Sequence, residues 1–257
     1  MTITPNTTLY NAGVLYVNGL GITWASNTTL TIAIGAARDV TNTNDIINPT
    51  ALTLNAATNG ANALDTGTFA ASTMYYIWIV GSSTLQANTC CLLSLSSTAP
   101  TLPVGYDMQR RIGAAFSNSS THFALAWWQS AESQGAGTNS TSRWCIYDAP
   151  IATGITAGAA TTYTAVNLEK TVPLTASIVR VEVALTAGTA FDSVFLQPYG
   201  GTGAATVFSS PVTATALLGV VDCPVGVNAT PLPDLKYKVS SAGDAVALNV
   251  QGYLDEL

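Results

Sequence analysis

Charge is what this sequence has least of. Only 9% of its 257 residues are Asp, Glu, Lys or Arg, although 48% are hydrophobic; an ordinary soluble domain carries about 25% charged residues. Solvent-facing positions must therefore be filled by Thr, Ser, Asn, Gln and Gly. Such a surface suits strands, because β-branched Thr favours the pleated backbone while Asn, Gly and Ser supply turns. It does not suit a helical bundle. Histidine is as scarce: His122 stands alone, so a Ser-His-Asp or Cys-His mechanism has one candidate base and no motif around it. The four cysteines, Cys90, Cys91, Cys145 and Cys223, include no Cys-x-x-Cys pair, and with no second histidine a structural zinc site is excluded. They read as reduced core thiols, with a Cys145–Cys223 disulfide as the alternative. Adjacent Cys90 and Cys91 point to opposite faces if they lie on a strand.

Long apolar runs are missing too. The densest, Met74 to Val80, has the length of a buried strand and falls far short of the ~18 residues of a membrane helix, so no membrane insertion is expected. The first cation is Arg38, which leaves no basic start for a secretory signal, and the chain is expected to be made and used without export by that route. Basic residues number 8 against 14 acidic ones, scattered apart from Arg110-Arg111 and the nearby Lys236 and Lys238. Nucleic acid is therefore not an expected partner.

What is present is strand patterning. Gly13 to Val17 and Leu20 to Trp24 flank Asn18-Gly19, the pair that best tolerates a two-residue hairpin turn, and predict a hairpin-led N-terminal region. Leu30, Ile32 and Ile34 alternate with Thr29, Thr31 and Ala33, the period of a strand with one buried face. Residues 38–50 carry turn residues that break the sheet, and residues 51–72, rich in Ala, Asn, Thr and Gly, suit one short helix or a long loop. Met74 to Val80 and Cys90 to Leu95 read as neighbouring central strands, closed off by Pro100 and Pro103.

The polar stretch from Glu132 to Ser142 is the expected boundary between an N-terminal β-rich domain, residues 1–140, and a C-terminal β-sandwich domain, residues 141–257. In the second, Val179, Val181, Val183 and Leu185 share one face, while Arg180 and Glu182 share the other, where they are placed to pair. Leu235, Tyr237 and Val239, a Ser-Ala-Gly-Asp turn, and Val246, Leu248 and Val250 predict an antiparallel hairpin. The fold class expected is all-β, antiparallel sandwich or jelly roll.

Candidate chemistry is sparse. Gly200-Gly201-Thr202-Gly203 lacks the Lys-Ser/Thr of a phosphate loop and reads as a loop between strands. The carboxylates, Asp255-Glu256 apart, are too widely spaced to mark a glycosidase pair. No catalytic, metal or cofactor-binding residue is assigned. Trp127 and Trp128 are the candidate ligand-binding residues: as adjacent strand residues they face opposite ways, so one can present a sugar-stacking ring while the other fills the core; the alternative buries both.

One region is less generic. Gly35-Ala-Ala-Arg-Asp-Val-Thr-Asn-Thr-Asn-Asp-Ile-Ile47, Leu64-Asp-Thr-Gly67, Tyr75-Tyr-Ile-Trp78, Ser97-Thr-Ala-Pro-Thr-Leu-Pro103, Gly105-Tyr106 and Arg110-Arg-Ile-Gly113 resemble, in order and spacing, a domain of bacteriophage virion proteins of the tail-fibre or tail-associated minor structural type. The resemblance covers about residues 20–118. Val166-Asn-Leu to Gly252-Tyr253 resembles, more loosely, a sandwich module that ends phage fibre subunits. The resemblance implies a non-enzymatic virion component that acts in assembly and host attachment, with copies of itself (a trimer), other virion proteins and host surface glycan as partners. It implies no site residues. Gly67, Gly105 and Gly113 read as turn glycines, Arg110-Arg111 as a sheet-edge or loop salt-bridging pair in preference to a ligand site, or as a subunit contact, and the N-terminal domain as the docking side. A head fibre or capsid decoration, and a glycan-binding receptor module, are the alternatives.

Overall fold

The computed structural model describes residues 16–85, 88–130, 142–202, 205–213, 216–228, 230 and 232–257. Its regular structure is β throughout, with no helix among the described residues. The expected all-β sandwich class is what forms. The first eleven strands are β1 (Val17–Gly19), β2 (Ile22–Ser26), β3 (Thr29–Ile32), β4 (Gly35–Arg38), β5 (Asp45–Asn48), β6 (Leu52–Asn59), β7 (Ala63–Leu64), β8 (Thr73–Gly81), β9 (Thr89–Ser94), β10 (Met108–Ser117) and β11 (Ala126–Ser130).

The hairpin expected around Asn18-Gly19 does not form. β1 pairs with β4, Val17 opposite Ala37, and the first hairpin instead joins β2 to β3 through Asn27-Thr28. Gly19 (φ 68°) and Leu20 (φ 51°) do take left-handed backbone, but they carry the chain from a three-stranded sheet, β1-β4-β5, into a larger one. Burial decides the outcome: Val17 and Leu20 lie in one apolar cluster with Ala37 and Ile46, and a local turn preference is too weak to outweigh that packing. Residues 13–15 of the expected first strand lie outside the described residues. On β3 the alternation holds for Leu30 and Ile32, both fully buried, whereas Ile34 lies beyond the strand and is 62% exposed.

Residues 38–50 start a turn and then resume the sheet, which corrects the expected break. Asp39 Oδ1 accepts the backbone N–H groups of Thr43 (2.8 Å) and Asn44 (3.0 Å), and β5 returns antiparallel along β4. Residues 51–72 open with neither helix nor loop. Leu54 and Ala56 of β6 point into the core, and β6 is zipped to β3 with Leu30 opposite Leu54, so tertiary pairing overrides the helix preference of alanine.

The two predicted central strands are neighbours as expected: β8 runs antiparallel to β9, and β10 lies on the other side of β8. This three-stranded wall is buried on both faces. Met74, Tyr76, Trp78 and Val80 face one core, while Tyr75, Ile77 and Ile79 face a second. That is why β8 reads as an unbroken apolar run instead of an alternation, and each such side chain contributes about 1.5–3 kcal/mol by burial. Cys90 and Cys91 fall on opposite faces, one in each core.

The remaining strands are β12 (Ser142–Ala152), β13 (Thr164–Asn167), β14 (Ala176–Thr186), β15 (Ser193–Pro198), β16 (Thr206–Ser209), β17 (Ala216–Pro224), β18 (Gly226–Val227), β19 (Pro233–Val239) and β20 (Ala245–Glu256). A twelve-stranded sheet runs in the order β10-β8-β9-β7-β6-β3-β2-β11-β12-β20-β14-β17, and a five-stranded sheet contains β13-β19-β15-β16 with β18 beside β19. The Ser241–Asp244 turn forms, with Asp244 N–H donating to the Ser241 carbonyl at 3.1 Å, yet β19 and β20 are not a hairpin. They belong to different sheets. Leu235, Tyr237 and Val239 share one cluster with Val246, Leu248 and Val250, because two strands with one apolar face each bury those faces by opposing them across a sandwich.

The expected Arg180–Glu182 pair is also replaced. Arg180 binds Asp222 on β17 through Nε (2.8 Å) and Nη2 (2.9 Å), and Glu182 accepts from Asn249 at 3.0 Å. Cross-strand neighbours win over neighbours along one strand because they stand closer. The division at 140/141 lies outside the described residues. Hydrogen bonding joins the segments on its two sides: β11 pairs with β12, and Arg143 donates to the carbonyls of Ile112 (2.8 Å), Leu20 (3.1 Å) and Gly19 (3.2 Å).

Candidate functional site

Trp127 and Trp128 separate as their strand position dictates. Trp127 is 49% exposed. Trp128 packs against both cores and donates Nε1–H to the Ala114 carbonyl at 2.9 Å. Gly113 makes room for this arrangement. It has no positive φ, so it is not the turn residue expected, and a Cβ there would stand 2.7 Å from Ile22 Cδ1. Gly67 (φ 80°) and Gly105 (φ 89°) are turn glycines.

Trp127 belongs to a row that crosses the outer face of the large sheet. Residues directly opposite one another, strand by strand, are Thr53, Thr31, Thr23, Trp127, Ile146, Gly252, Arg180 and Asp222. Directly opposite antiparallel residues share a face, so three threonines flank the tryptophan on one side. In the next row Gln129 stands opposite Trp144. The Arg180 guanidinium lies 4.6 Å from the Trp144 ring centre, which caps that ring by cation–π attraction and leaves Trp127 as the ring open to a ligand.

A second feature is concave. A hollow of about 600 Å³ is lined by Phe116, Leu125, Pro150 and Ile151 on its apolar side and by Asn118, Asp148 and Lys170 on its polar side. Lys170 also borders two smaller hollows of about 380 and 290 Å³. Sequence reading misses this place because its walls come from loop and strand ends of both halves of the chain, with no local motif to mark them.

The other candidates resolve into structure. His122 sits at a turn where its backbone N–H donates to Asn118 Oδ1 (3.1 Å) and its carbonyl accepts from Asn118 N–H (2.8 Å). Gly200-Gly201-Thr202 joins β15 to β16, as expected of a loop between strands, and Gly203 lies outside the described residues. The four cysteines are free and buried, so Cys145 and Cys223 do not pair. Burial pushes the thiols of Cys91 and Cys145 up to about 12 and that of Cys223 up to about 11, away from the range of a reactive nucleophile. Among the described residues no three His, Cys, Asp or Glu side chains gather as metal ligands would, and no helix is long and apolar enough to cross a membrane.

Arg110 and Arg111 are both buried on β10, the strand at the other end of the large sheet. Arg111 forms an ion pair with Asp255 at 2.6 Å, and Arg110 Nη2 donates to the Leu257 carbonyl at 3.1 Å. Of the two expected roles, sheet-edge salt bridging is realised by Arg111.

No protein-family model matches the chain, and no curated protein matches it in sequence. Among solved structures, it is similar to the carbohydrate-binding module CBM6cm-2 of Cellvibrio mixtus lichenase 5A, in complex with cellotriose (12% identity, 52% of this chain, 87% of that one, TM-score 0.23). It is also similar to chains of the T13 IBDV viral particle (13% identity, 95% of this chain, 70% of that one, TM-score 0.22) and of infectious bursal disease virus strain Gx (12% identity, 95% and 66%, TM-score 0.22). Likeness at this level assigns neither a family nor a role, and the resemblance over residues 20–118 rests on the residues that carry it.

Proposed function

We propose that the chain is a non-enzymatic structural subunit of a bacteriophage virion, of the tail-fibre or tail-associated type, which assembles with copies of itself and with neighbouring virion proteins. One observation carries this reading: in the segments that resemble the virion domain, Arg38, Asp65 and Tyr75 to Trp78 are engaged in holding the fold. Arg38 binds Asp45 at 3.2 Å. Asp65 Oδ2 accepts from Ser94 Oγ (2.6 Å) and Thr101 N–H (2.9 Å). Tyr75 to Trp78 fill the central wall, and Trp78 Nε1–H reaches the Ser96 carbonyl at 3.2 Å. Side chains that serve a scaffold suit a protein whose task is assembly.

The test is the mass of the purified protein by light scattering, with immunogold labelling of intact particles. An oligomer located on the tail supports the reading. Label on the head would move the protein to a head-fibre or decoration role, and a monomer absent from particles would overturn the proposal.

A second reading, host attachment through glycan, is favoured by Trp127, an exposed ring beside Thr23 and Gln129 on an open face. A binder is stabilised by its ligand through mass action, so host polysaccharide should raise the melting temperature of the wild type and not that of Trp127→Ala. Shortening of the polymer would instead indicate an enzyme.

A further inference from the structure

The large sheet ends at β17, which pairs with β14 from Ala216 to Pro224 and with no strand on its other side among the described residues. An edge strand presents a row of backbone N–H and C=O groups able to pair with another chain, and proteins usually blunt such edges with charge, proline or short length. β17 is nine residues long. Its one charged residue, Asp222, and its proline, Pro224, both sit at one end, so Ala216-Leu-Leu-Gly-Val-Val221 is an uncharged run. On its outer face Leu218 is 66% and Val220 51% exposed. On the inner face the Phe208 ring of β16 fills the space that Gly219 leaves open. β16 is itself the edge of the smaller sheet and exposes Val207. Among the described residues, the side of the sandwich where both sheets end is therefore apolar and uncovered, unlike the threonine-covered face at β2, β3 and β6.

We infer that β17 pairs antiparallel with β17 of a second copy, joining the two large sheets into one. This rests on the reading of the chain as self-assembling, and it replaces the three-fold arrangement implied by the resemblance with a two-fold contact. The strand is self-complementary about Gly219. With Gly219 opposite its own copy, Leu218 stands opposite the partner's Val220, Leu217 opposite the partner's Val221, and Asp222 opposite the partner's Ala216. Every large apolar side chain meets another, and the two Asp222 carboxylates sit at opposite ends, each already bound by its own Arg180. Glu182, beside Val220, continues across the contact to the partner's Leu218 and the partner's Ala184, so the two Glu182 copies lie in different rows. A two-fold contact of this kind closes on itself, and backbone pairing supplies its register.

Light scattering and sedimentation of the wild type, Val220→Lys and Leu218→Lys test this. The expected result is a two-chain mass for the wild type and a one-chain mass for both variants, with circular dichroism and melting of the isolated subunit preserved because both positions are solvent-facing in one copy. Register is read separately by mixing Leu218→Cys with Val220→Cys chains under mild oxidation. A covalent dimer should form in the mixture and not from Leu218→Cys alone, since the native cysteines are buried. A wild-type monomer would overturn both this inference and the self-assembly it rests on. A wild-type oligomer that survives Val220→Lys, or a three-chain mass, would overturn this inference and leave self-assembly standing.

Discussion

Arg111 and Asp255, 144 residues apart in sequence, form a buried ion pair in which Arg111 Nη1 lies 2.8 and 2.6 Å from the two carboxylate oxygens. Thr175 Oγ1 donates to the same carboxylate at 2.5 Å, and Arg111 Nη2 donates to the Glu256 carbonyl. The pair ties the central wall to β20. Removing one partner strands a buried charge, which typically costs about 3–5 kcal/mol, whereas replacing both with apolar groups is far milder. Arg111→Met and Asp255→Leu should each lower stability by about that amount in urea unfolding, and the double variant by clearly less than the sum.

The two adjacent tryptophans should respond in opposite ways. Trp128→Ala removes a ring shared by both cores and one of two side-chain donors to the Ala114 carbonyl, which the Tyr253 hydroxyl also reaches at 3.0 Å, so a loss of about 3–5 kcal/mol is expected, mostly from the lost packing. Trp127→Ala touches an exposed ring and should stay within about 0.5 kcal/mol. Urea titrations of the two variants check this, and acrylamide should quench wild-type fluorescence less once Trp127 is replaced.

Much of this was legible in sequence, and the failures share a cause. Alternation at Val179 to Leu185 and the dense run at Met74 to Val80 located strands and their buried faces, because burial period is a property of the strand itself. The opposed faces of Cys90 and Cys91, and of Trp127 and Trp128, follow from the same period. Pairing partners were not legible. Asn18-Gly19 has the residues of a hairpin, and Leu235 to Val250 the pattern of one, but which strand lies beside which depends on contacts distant in sequence. The Ala-rich strand β6 and the Lys170 hollow were hidden for the same reason: what makes Leu52–Asn59 a strand is β3, and what makes the hollow is the approach of loops from both halves.

Gly219 offers a test of packing at the sheet edge. A Cβ there would stand 2.1 Å from Phe208 Cε2 and 2.7 Å from Cζ, and both atoms belong to a ring packed against the main core. Gly219→Ala should force the ring aside. Overpacking of this kind costs about 1–3 kcal/mol, against the gain usually seen when a strand glycine is replaced. The melting temperature should fall in Gly219→Ala and recover in the double variant with Phe208→Leu, which returns the space.

Alkaline pH should weaken the fold well before it would weaken one with exposed thiols. Burial raises the Cys91 and Cys145 thiols to about 12 and Cys223 to about 11, from 9.0. It also holds the Tyr147 and Tyr253 hydroxyls well above 10.0. In each case the native state favours the neutral form and the unfolded chain ionises first. Their contribution to stability is thus complete below about pH 9 and is lost as pH rises through the folded values. Arg143 acts in the opposite sense: burial lowers it from 12.5 to about 10, so deprotonation relieves a penalty over that interval. Burial also raises Cys90, Tyr75, Tyr76 and Tyr106 and lowers Arg110, so the raised thiols and phenols outnumber the two lowered arginines, and the urea midpoint should fall steadily from pH 9 to about 11. Native protein at pH 8 should leave the four thiols unreactive toward a disulfide reagent until urea is added. A midpoint that stays flat over this range, or rapid labelling of the native protein, would show that these side chains are solvated in solution.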